Sequence, residues 1–205
     1  MQDIFLRTRM ILGDAAMESL AGSHVAVFGL GGVGSYAVEA LARSGVGQLT
    51  LVDRDTVSPS NINRQLYALH STIGQPKVEA AARRCLDINP ALRVHTIYKT
   101  YDAEHREEFF AAPYDFIIDA IDLVSCKLDL ISQAQGRGIP IISALGTGIG
   151  EDFDISNLKY YKVIILSDPP VHFGHFQDLR LSPGPGHAPG AEGPGHPPSA
   201  GGLQP

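Results

Sequence analysis

Gly29, Gly31 and Gly34 stand at G-x-G-x-x-G spacing directly after the apolar run His24 to Phe28. Glycines so placed let a chain turn tightly from strand to helix, let the backbone approach a phosphate and let the helix pack on the strand. The helix, opening near Gly32, attracts an anion through its unpaired N–H groups. The pattern points to a nucleotide, although three glycines also serve ordinary turns. Asp53 narrows the choice. It lies 24 positions after Gly29 and ends the run Gln48-Leu-Thr-Leu-Val, about where a carboxylate on the second strand bonds a ribose hydroxyl.

Further polar side chains follow at once. The segment from Asp55 to Gln65 concentrates hydrogen-bonding groups where a dehydrogenase would show an ordinary helix entry. Arg64 can fork onto phosphate oxygens, and the amides of Asn61 and Gln65 can donate or accept beside it; a plain turn-rich loop is the competing reading. Lys77 follows Gly74-Gln-Pro76 at the start of a helix, where a cation is unfavourable unless something negative is near. A phosphate would supply that charge, unless Lys77 is merely exposed. Downstream, Tyr114 to Asp122 reads as a buried strand emerging at two carboxylates, Asp119 and Asp122. Asp122 could hold a magnesium ion bridging phosphates, or cap the helix beginning near Leu123.

Strands and helices must alternate to bring these groups together. Residues 3–22 read as helix broken at Gly13, with Ile4, Leu6, Met10, Ile11, Leu12, Met17 and Leu20 as inward positions and Arg7 and Arg9 among them. Strands are expected at 24–28, 48–53, 93–98, 114–122 and 139–144, with helices at 35–44, 77–88, 103–112 and 123–135 between them. This order predicts a doubly wound, Rossmann-like α/β fold, with a mainly parallel sheet and helices on both faces. A Gly-Thr-Gly-Ile-Gly turn over 146–150 closes the fifth strand, and Tyr160 to Leu166 is a candidate for one more. Between Pro183 and Pro205, glycine and proline make up 14 of 23 residues. Such a stretch cannot bury enough apolar surface to offset its chain entropy. The expected division is therefore an N-terminal helical segment over 1–22, a nucleotide-binding domain over 23–166 and a disordered tail over 167–205.

Composition sets the outer limits. A chain of 205 residues that is 44% hydrophobic can bury a real core. Its net charge of −6 gives no global drive toward nucleic acid or an anionic membrane, so an RNA substrate would need a local basic patch. Cys85 and Cys126 supply neither a disulfide framework nor a four-cysteine zinc site, and suit a reducing compartment. No basic leader and no run of about 18 apolar residues is present. The default expectation is a soluble cytoplasmic protein.

Five ordered motifs, Gly-Leu-Gly-Gly-Val-Gly-Ser, Leu-Val-Asp53-Arg-Asp55, Ser-Asn61-Ile-Asn-Arg64-Gln65, Gly-Gln-Pro-Lys77 and Asp119-Ala-Ile-Asp122, closely resemble the adenylating fold of the ubiquitin-activating-enzyme superfamily. The resemblance covers about residues 5–155. The Asp-Ala-Ile-Asp form, the Phe-x-Arg-Thr-Arg start and the absent zinc cysteines look most like the tRNA threonylcarbamoyladenosine dehydratase branch. That resemblance implies ATP-dependent activation of a threonine carboxylate on tRNA as an acyl-adenylate, followed by cyclisation. It assigns the phosphates to the glycine turn (Gly29, Gly31, Gly32, Gly34), the ribose to Asp53, a further nucleotide contact to Asp55, and magnesium to Asp122. Arg64 and Lys77 would neutralise the triphosphate while Asn61 and Gln65 orient it. Arg7 matches an arginine that can reach into a neighbouring subunit's site, implying a homodimer, and cysteine-desulfurase-type sulfur-transfer partners are also implied. Family members continue for several tens of residues beyond the fifth strand, so the resemblance further implies a domain incomplete at its C-terminus.

Three other readings compete. The same site could adenylate the C-terminus of a ubiquitin-like sulfur carrier, although those relatives usually carry four zinc cysteines. An NAD-dependent oxidoreductase is compatible with the glycines and Asp53 but leaves Arg64, Gln65 and Lys77 without a task. A truncated nucleotide-binding protein without turnover would keep every phosphate-binding group.

Overall fold

The computed structural model describes residues 3–144 and 164–166. Two short helices, α1 (Leu6–Leu12) and α2 (Asp14–Gly22), lead into β1 (His24–Phe28), α3 (Gly32–Ser44) and β2 (Gln48–Val52). A long polar connection then reaches α4 (Lys77–Ile88) and β3 (Arg93–Ile97). The chain continues through α5 (Arg106–Phe109), β4 (Phe116–Asp119), α6 (Val124–Gly136), β5 (Ile141–Ser143) and β6 (Ile164–Leu166). The sheet runs β3-β2-β1-β4-β5-β6, parallel except for β6, which pairs antiparallel with β5. After β3 the chain returns to the opposite side of β1 to form β4. That reversal opens a crevice at the strands' C-terminal ends, where ligands of such sheets gather.

Burial explains why β1 reads as an unbroken apolar run. All five of its residues are buried, and alternate side chains serve opposite faces of the sheet. Val25 and Val27 join Leu49, Leu51 and the inner faces of α3 and α4. Ala26 and Phe28 join Val52, Ile117, Phe109 and the α6 residues Leu130 and Ala134. Each fully buried Leu, Val or Phe contributes about 1.5–3 kcal/mol. Helices therefore cover both faces. The helix pair α3 and α4 is also tied together by Arg84, which donates from Nε and from its terminal nitrogen to Glu39 at 2.6 and 3.0 Å. Arg84, foremost, and then Arg43 hold the Glu39 carboxyl below the usual carboxylate range.

Two expectations need correction. Among the N-terminal apolar residues assigned inward, Ile4, Leu6, Met10, Ile11 and Leu12 are exposed, and α1 buries none of its side chains. Gly13, at φ +82°, breaks the helix after seven residues, leaving α1 too short to lie along the sheet, while Met17 on α2 is buried. The helix expected over 103–112 reduces to α5, a single turn. The strand expected over 93–98 forms as β3, an edge strand whose side chains are mostly exposed. Of the suggested strand over 160–166, only 164–166 is described, and the turn over 146–150 and the tail from 167 lie outside the described residues. Among the described residues, no helix is long and apolar enough to cross a membrane.

Two glycines of the turn after β1 are demanded by sterics. A Cβ on Gly34 would fall well inside contact distance of the Gly29 carbonyl, and one on Gly29, itself at φ +86°, would overlap the backbone of Ala120. At Gly31 the same atom would meet open space. Gly34→Ala is accordingly expected to destabilise the fold by at least about 3 kcal/mol in urea titration, against about 1 kcal/mol or less for Gly31→Ala. Glu39→Gln is expected to lower stability by under about 1 kcal/mol at neutral pH. Because the folded state lowers this carboxyl's pKa, its contribution is present above about pH 4.3 and fades as pH falls through the folded value. The two proteins' urea midpoints should therefore converge in acid.

Candidate functional site

The connection from β2 to α4 is held by backbone pairing rather than by a core of its own. Thr56 bridges Pro76, the Val57 N–H donates to the Gln75 carbonyl at 2.8 Å, and the Lys77 N–H donates to the Asp55 carbonyl at 2.9 Å. A turn of 3₁₀ helix over Pro59–Asn61 follows, in which Asn61 Oδ1 accepts the Ser58 N–H at 2.9 Å. Folded this way, the segment arches beside the glycine turn and closes a cavity of about 910 Å³ at the ends of β1, β2 and β4. That volume is within the range of small-molecule sites.

One wall of the cavity is the turn itself. Gly29, Gly31 and Gly32 line it, and the first N–H groups of α3 lack helical acceptors and carry the positive end of the helix dipole. The turn's shape is fixed from outside. Asp53 Oδ2 accepts the Leu30 N–H at 2.6 Å while its Oδ1 accepts the Asp55 N–H at 2.7 Å, so this carboxylate clamps strand tip to turn and keeps a lone pair on each oxygen. From the other side the Tyr67 hydroxyl donates to the Leu30 carbonyl. Burial, followed by the nearby Asp53 charge, raises the Tyr67 pKa far above that of a free phenol, so the hydroxyl stays a donor.

The cationic wall differs from its sequence expectation in one respect. The Lys77 side chain is only 7% exposed and its Nζ lies 2.9 Å from Asp55 Oδ2. The negative charge expected near this helix start is thus supplied by the protein itself, through Asp55. Two Lys77 donors remain without a partner among the described residues. Arg64 is exposed, packs its aliphatic stem over Gly32, and gives one terminal nitrogen to the Ser60 carbonyl at 2.8 Å and to Asn63 Oδ1 at 3.1 Å. Its other donors are left over. Gln65 is buried at the cavity wall with an Oε1 that has no hydrogen-bond partner among the described residues. An orphan acceptor of this kind costs about 1–3 kcal/mol until a donor arrives.

The two carboxylates after β4 have separate fates. Asp119 is fully buried and paired with Lys127, whereas Asp122 is exposed, lines the cavity and accepts no hydrogen bond among the described residues. Asp122 does not cap α6, whose N-cap is Leu123 without a side-chain bond. No cluster of three or more metal-ligating side chains occurs among the described residues. A single free carboxylate beside phosphate groups is nevertheless how magnesium is commonly held.

The structure thus brings Gly29, Gly31, Gly32, Asp53, Asp55, Asn61, Arg64, Gln65, Lys77 and Asp122 onto one cavity. Gly34 lies buried behind the turn, and Arg7 sits exposed on α1, away from the lining. Arg9, the other candidate beside it, is bound to Asp3 and Asp14, both at 2.9 Å. Sequence reasoning passed over Tyr67 and Lys127. Neither lies in a motif, and only a charged residue at an inward position of α6 could have drawn attention to Lys127.

Fold and cavity together define a doubly wound α/β protein with an anion-receptive crevice at its topological switch point. The ThiF family model matches residues 5–150, and the chain belongs to that family. It is similar to a tRNA threonylcarbamoyladenosine dehydratase of Bacillus subtilis, with 48% identity over 158 residues covering 76% of this chain and 62% of the relative. A molybdopterin-synthase adenylyltransferase of Salmonella typhimurium is 39% identical over 126 residues, covering 62% of this chain and 50% of the relative. Among solved structures, the dehydratase of Escherichia coli in complex with ATP superposes with a TM-score of 0.68 at 38% identity, covering 74% of this chain and 62% of that one. The chain thus spans between half and two thirds of the length of these relatives.

Tyr67→Phe removes one hydroxyl and strands the buried Leu30 carbonyl. It is expected to cost about 1–3 kcal/mol in urea titration, with an unchanged denaturant slope; a midpoint equal to that of the unchanged protein would mean that the turn does not depend on this bond.

Proposed function

We propose that the cavity binds ATP and that the protein is an ATP-dependent dehydratase of threonylcarbamoyladenosine in tRNA. The observation that carries the reading is the convergence on one cavity of a glycine turn at a helix N-terminus, the leftover donors of Arg64 and Lys77, and the free carboxylate of Asp122. The named relatives and the ATP complex of a similar chain support the choice of nucleotide and substrate.

In this reading the glycine-turn amides and the start of α3 receive phosphate oxygens, and Asp53 offers its remaining lone pairs to the ribose. Gln65, with its orphan Oε1, and Asn61 orient the nucleotide. Magnesium would be held by Asp122 and would add positive charge beside the phosphates. A carboxylate oxygen of the substrate attacks the α-phosphate, forming the acyl-adenylate and releasing pyrophosphate. The carbamoyl group then attacks the activated carbonyl and AMP leaves, so a ring closes with net loss of one water. Negative charge builds at phosphorus in the first step, and Arg64 and Lys77, fixed by Ser60 and Asp55, oppose it without reorganising.

We further infer a homodimer. Exposed apolar residues on α1 (Leu6, Met10, Ile11, Leu12), on α3 (Val33, Tyr36) and on α6 (Val124, Leu128) leave apolar surface for a second copy to cover. Arg7, unpaired among the described residues, would then be free to enter the partner's site. Sulfur-transfer partners and a cytoplasmic location belong to the same proposal. Similarity to the molybdopterin-synthase enzyme favours a second reading, adenylation of a ubiquitin-like protein's C-terminus at the same site.

The test is to incubate the protein with ATP, magnesium and threonylcarbamoyl-modified tRNA while following AMP and nucleoside mass. Expected are AMP release and loss of one water mass from the nucleoside. Arg64→Ala and Lys77→Ala should each abolish AMP release in folded protein, and Arg7→Ala should reduce it while leaving ATP binding intact. Folded protein that binds no ATP, or that exchanges pyrophosphate only with a ubiquitin-like protein, would exclude the dehydratase reading.

A further inference from the structure

Lys127 sits in the first turn of α6 with its side chain 6% exposed, facing an Asp119 side chain that is wholly buried. Its ammonium has three donors and three acceptors. Nζ is 2.7 Å from Asp119 Oδ2, 3.2 Å from Ser143 Oγ and 2.9 Å from the Ala144 carbonyl. Asp119 accepts three bonds in return: Oδ2 also takes the Ser143 hydroxyl at 2.5 Å, and Oδ1 accepts the Ile121 N–H at 3.0 Å. The Asp119 carbonyl accepts the Ala144 N–H at 2.8 Å. Filling this volume does not require charge, since an apolar side chain of similar length would avoid desolvating two ions. What the ion pair adds is direction. It draws the end of β4, the end of β5 and the start of α6 to a single point.

The segment those three elements bracket is Ala120–Leu123. Its first residue donates its N–H to the Phe28 carbonyl at 2.7 Å and presents its own carbonyl where a Gly29 Cβ would stand. Two residues on, Asp122 lines the cavity. One short segment therefore both backs the glycine turn and carries the free carboxylate. We propose that Lys127 is a positioning residue of the nucleotide site, its buried ammonium fixing Ala120–Asp122 through Asp119, Ser143 and Ala144. The role rests on reading the cavity as an ATP site. Lys127 does not line the cavity, and its influence passes through the backbone it anchors.

Calorimetric titration with ATP and magnesium, thermal melts and amide hydrogen exchange test this on Lys127→Met and on the double variant Lys127→Met/Asp119→Asn. The single variant leaves Asp119 buried without its cation, so it should melt lower. Exchange should quicken in peptides covering 117–123 and 28–35 while β2 keeps its protection, and ATP affinity should fall about tenfold, as small misplacements of binding groups do. The double variant, with no uncompensated buried charge, should regain much of the melting temperature but not the ATP affinity. Should the single variant fail to fold, the double variant carries the comparison. ATP affinity that returns together with the melting temperature, or that equals the unchanged protein's in folded Lys127→Met, would mean the pair is merely structural and overturn the proposal. If the unchanged protein also fails to bind ATP, the site reading falls, and the positioning role falls with it.

Discussion

A close approach between two backbone segments governs this molecule. The turn after β1 lies directly on Ala120, at a separation that excludes a Cβ at Gly29, and the Gly29 carbonyl in turn excludes one at Gly34. That contact joins the two halves of the sheet where the connection reverses, and so decides whether the crevice has a floor. Gly31 and Gly32 answer to a different requirement. Gly31 has nothing within reach of an added Cβ, so sterics within the fold leave it free, and an approaching ligand is the natural reason for its bareness.

Around that contact the polar groups are arranged in pairs of anchor and offer. Asp53 uses both oxygens to hold backbone N–H groups yet keeps lone pairs toward the cavity. Asn61 spends its carbonyl oxygen on Ser58. Lys77 is steadied by Asp55, and Arg64 by the Ser60 carbonyl. Each is thereby held in place with its remaining hydrogen-bonding capacity free, which lets a site stabilise developing charge without reorganising. Asp122 and Gln65 complete the set, one by its free carboxylate and the other by its orphan oxygen.

Much of this was legible in the chain because the motifs are local. The switch from two-residue to helical periodicity around Gly29, the β-branched run before Asp53 and the proline before Lys77 are short-range signals, and short-range physics sets strands, turns and helix starts. The N-terminal helices were misjudged for the converse reason. Apolar spacing in residues 4–12 records that a face wants covering, but not by what, and among the described residues that face remains open. The exposure of β3 was decided by its place at the sheet's edge rather than by composition.

By itself, then, the sequence determined the alternation of strands and helices, the glycine turn, and seven of the polar side chains that reach the cavity, though not Lys99, Thr100 and Tyr101, which follow β3. Tertiary structure alone decided how neighbouring charges divide their work. Asp119 and Asp122 are three residues apart and chemically identical. One points into the core against Lys127 and the other into the crevice, because the strand ends between them and the chain turns over. Asp55 and Lys77, 22 residues apart, become partners only when backbone pairing folds the connection back on itself. Tyr67 reaches the Leu30 carbonyl across 37 residues for the same reason. Sequence spacing fixes which groups exist and roughly where the backbone turns; the distances that make them anchors or offers arise from packing across the sheet.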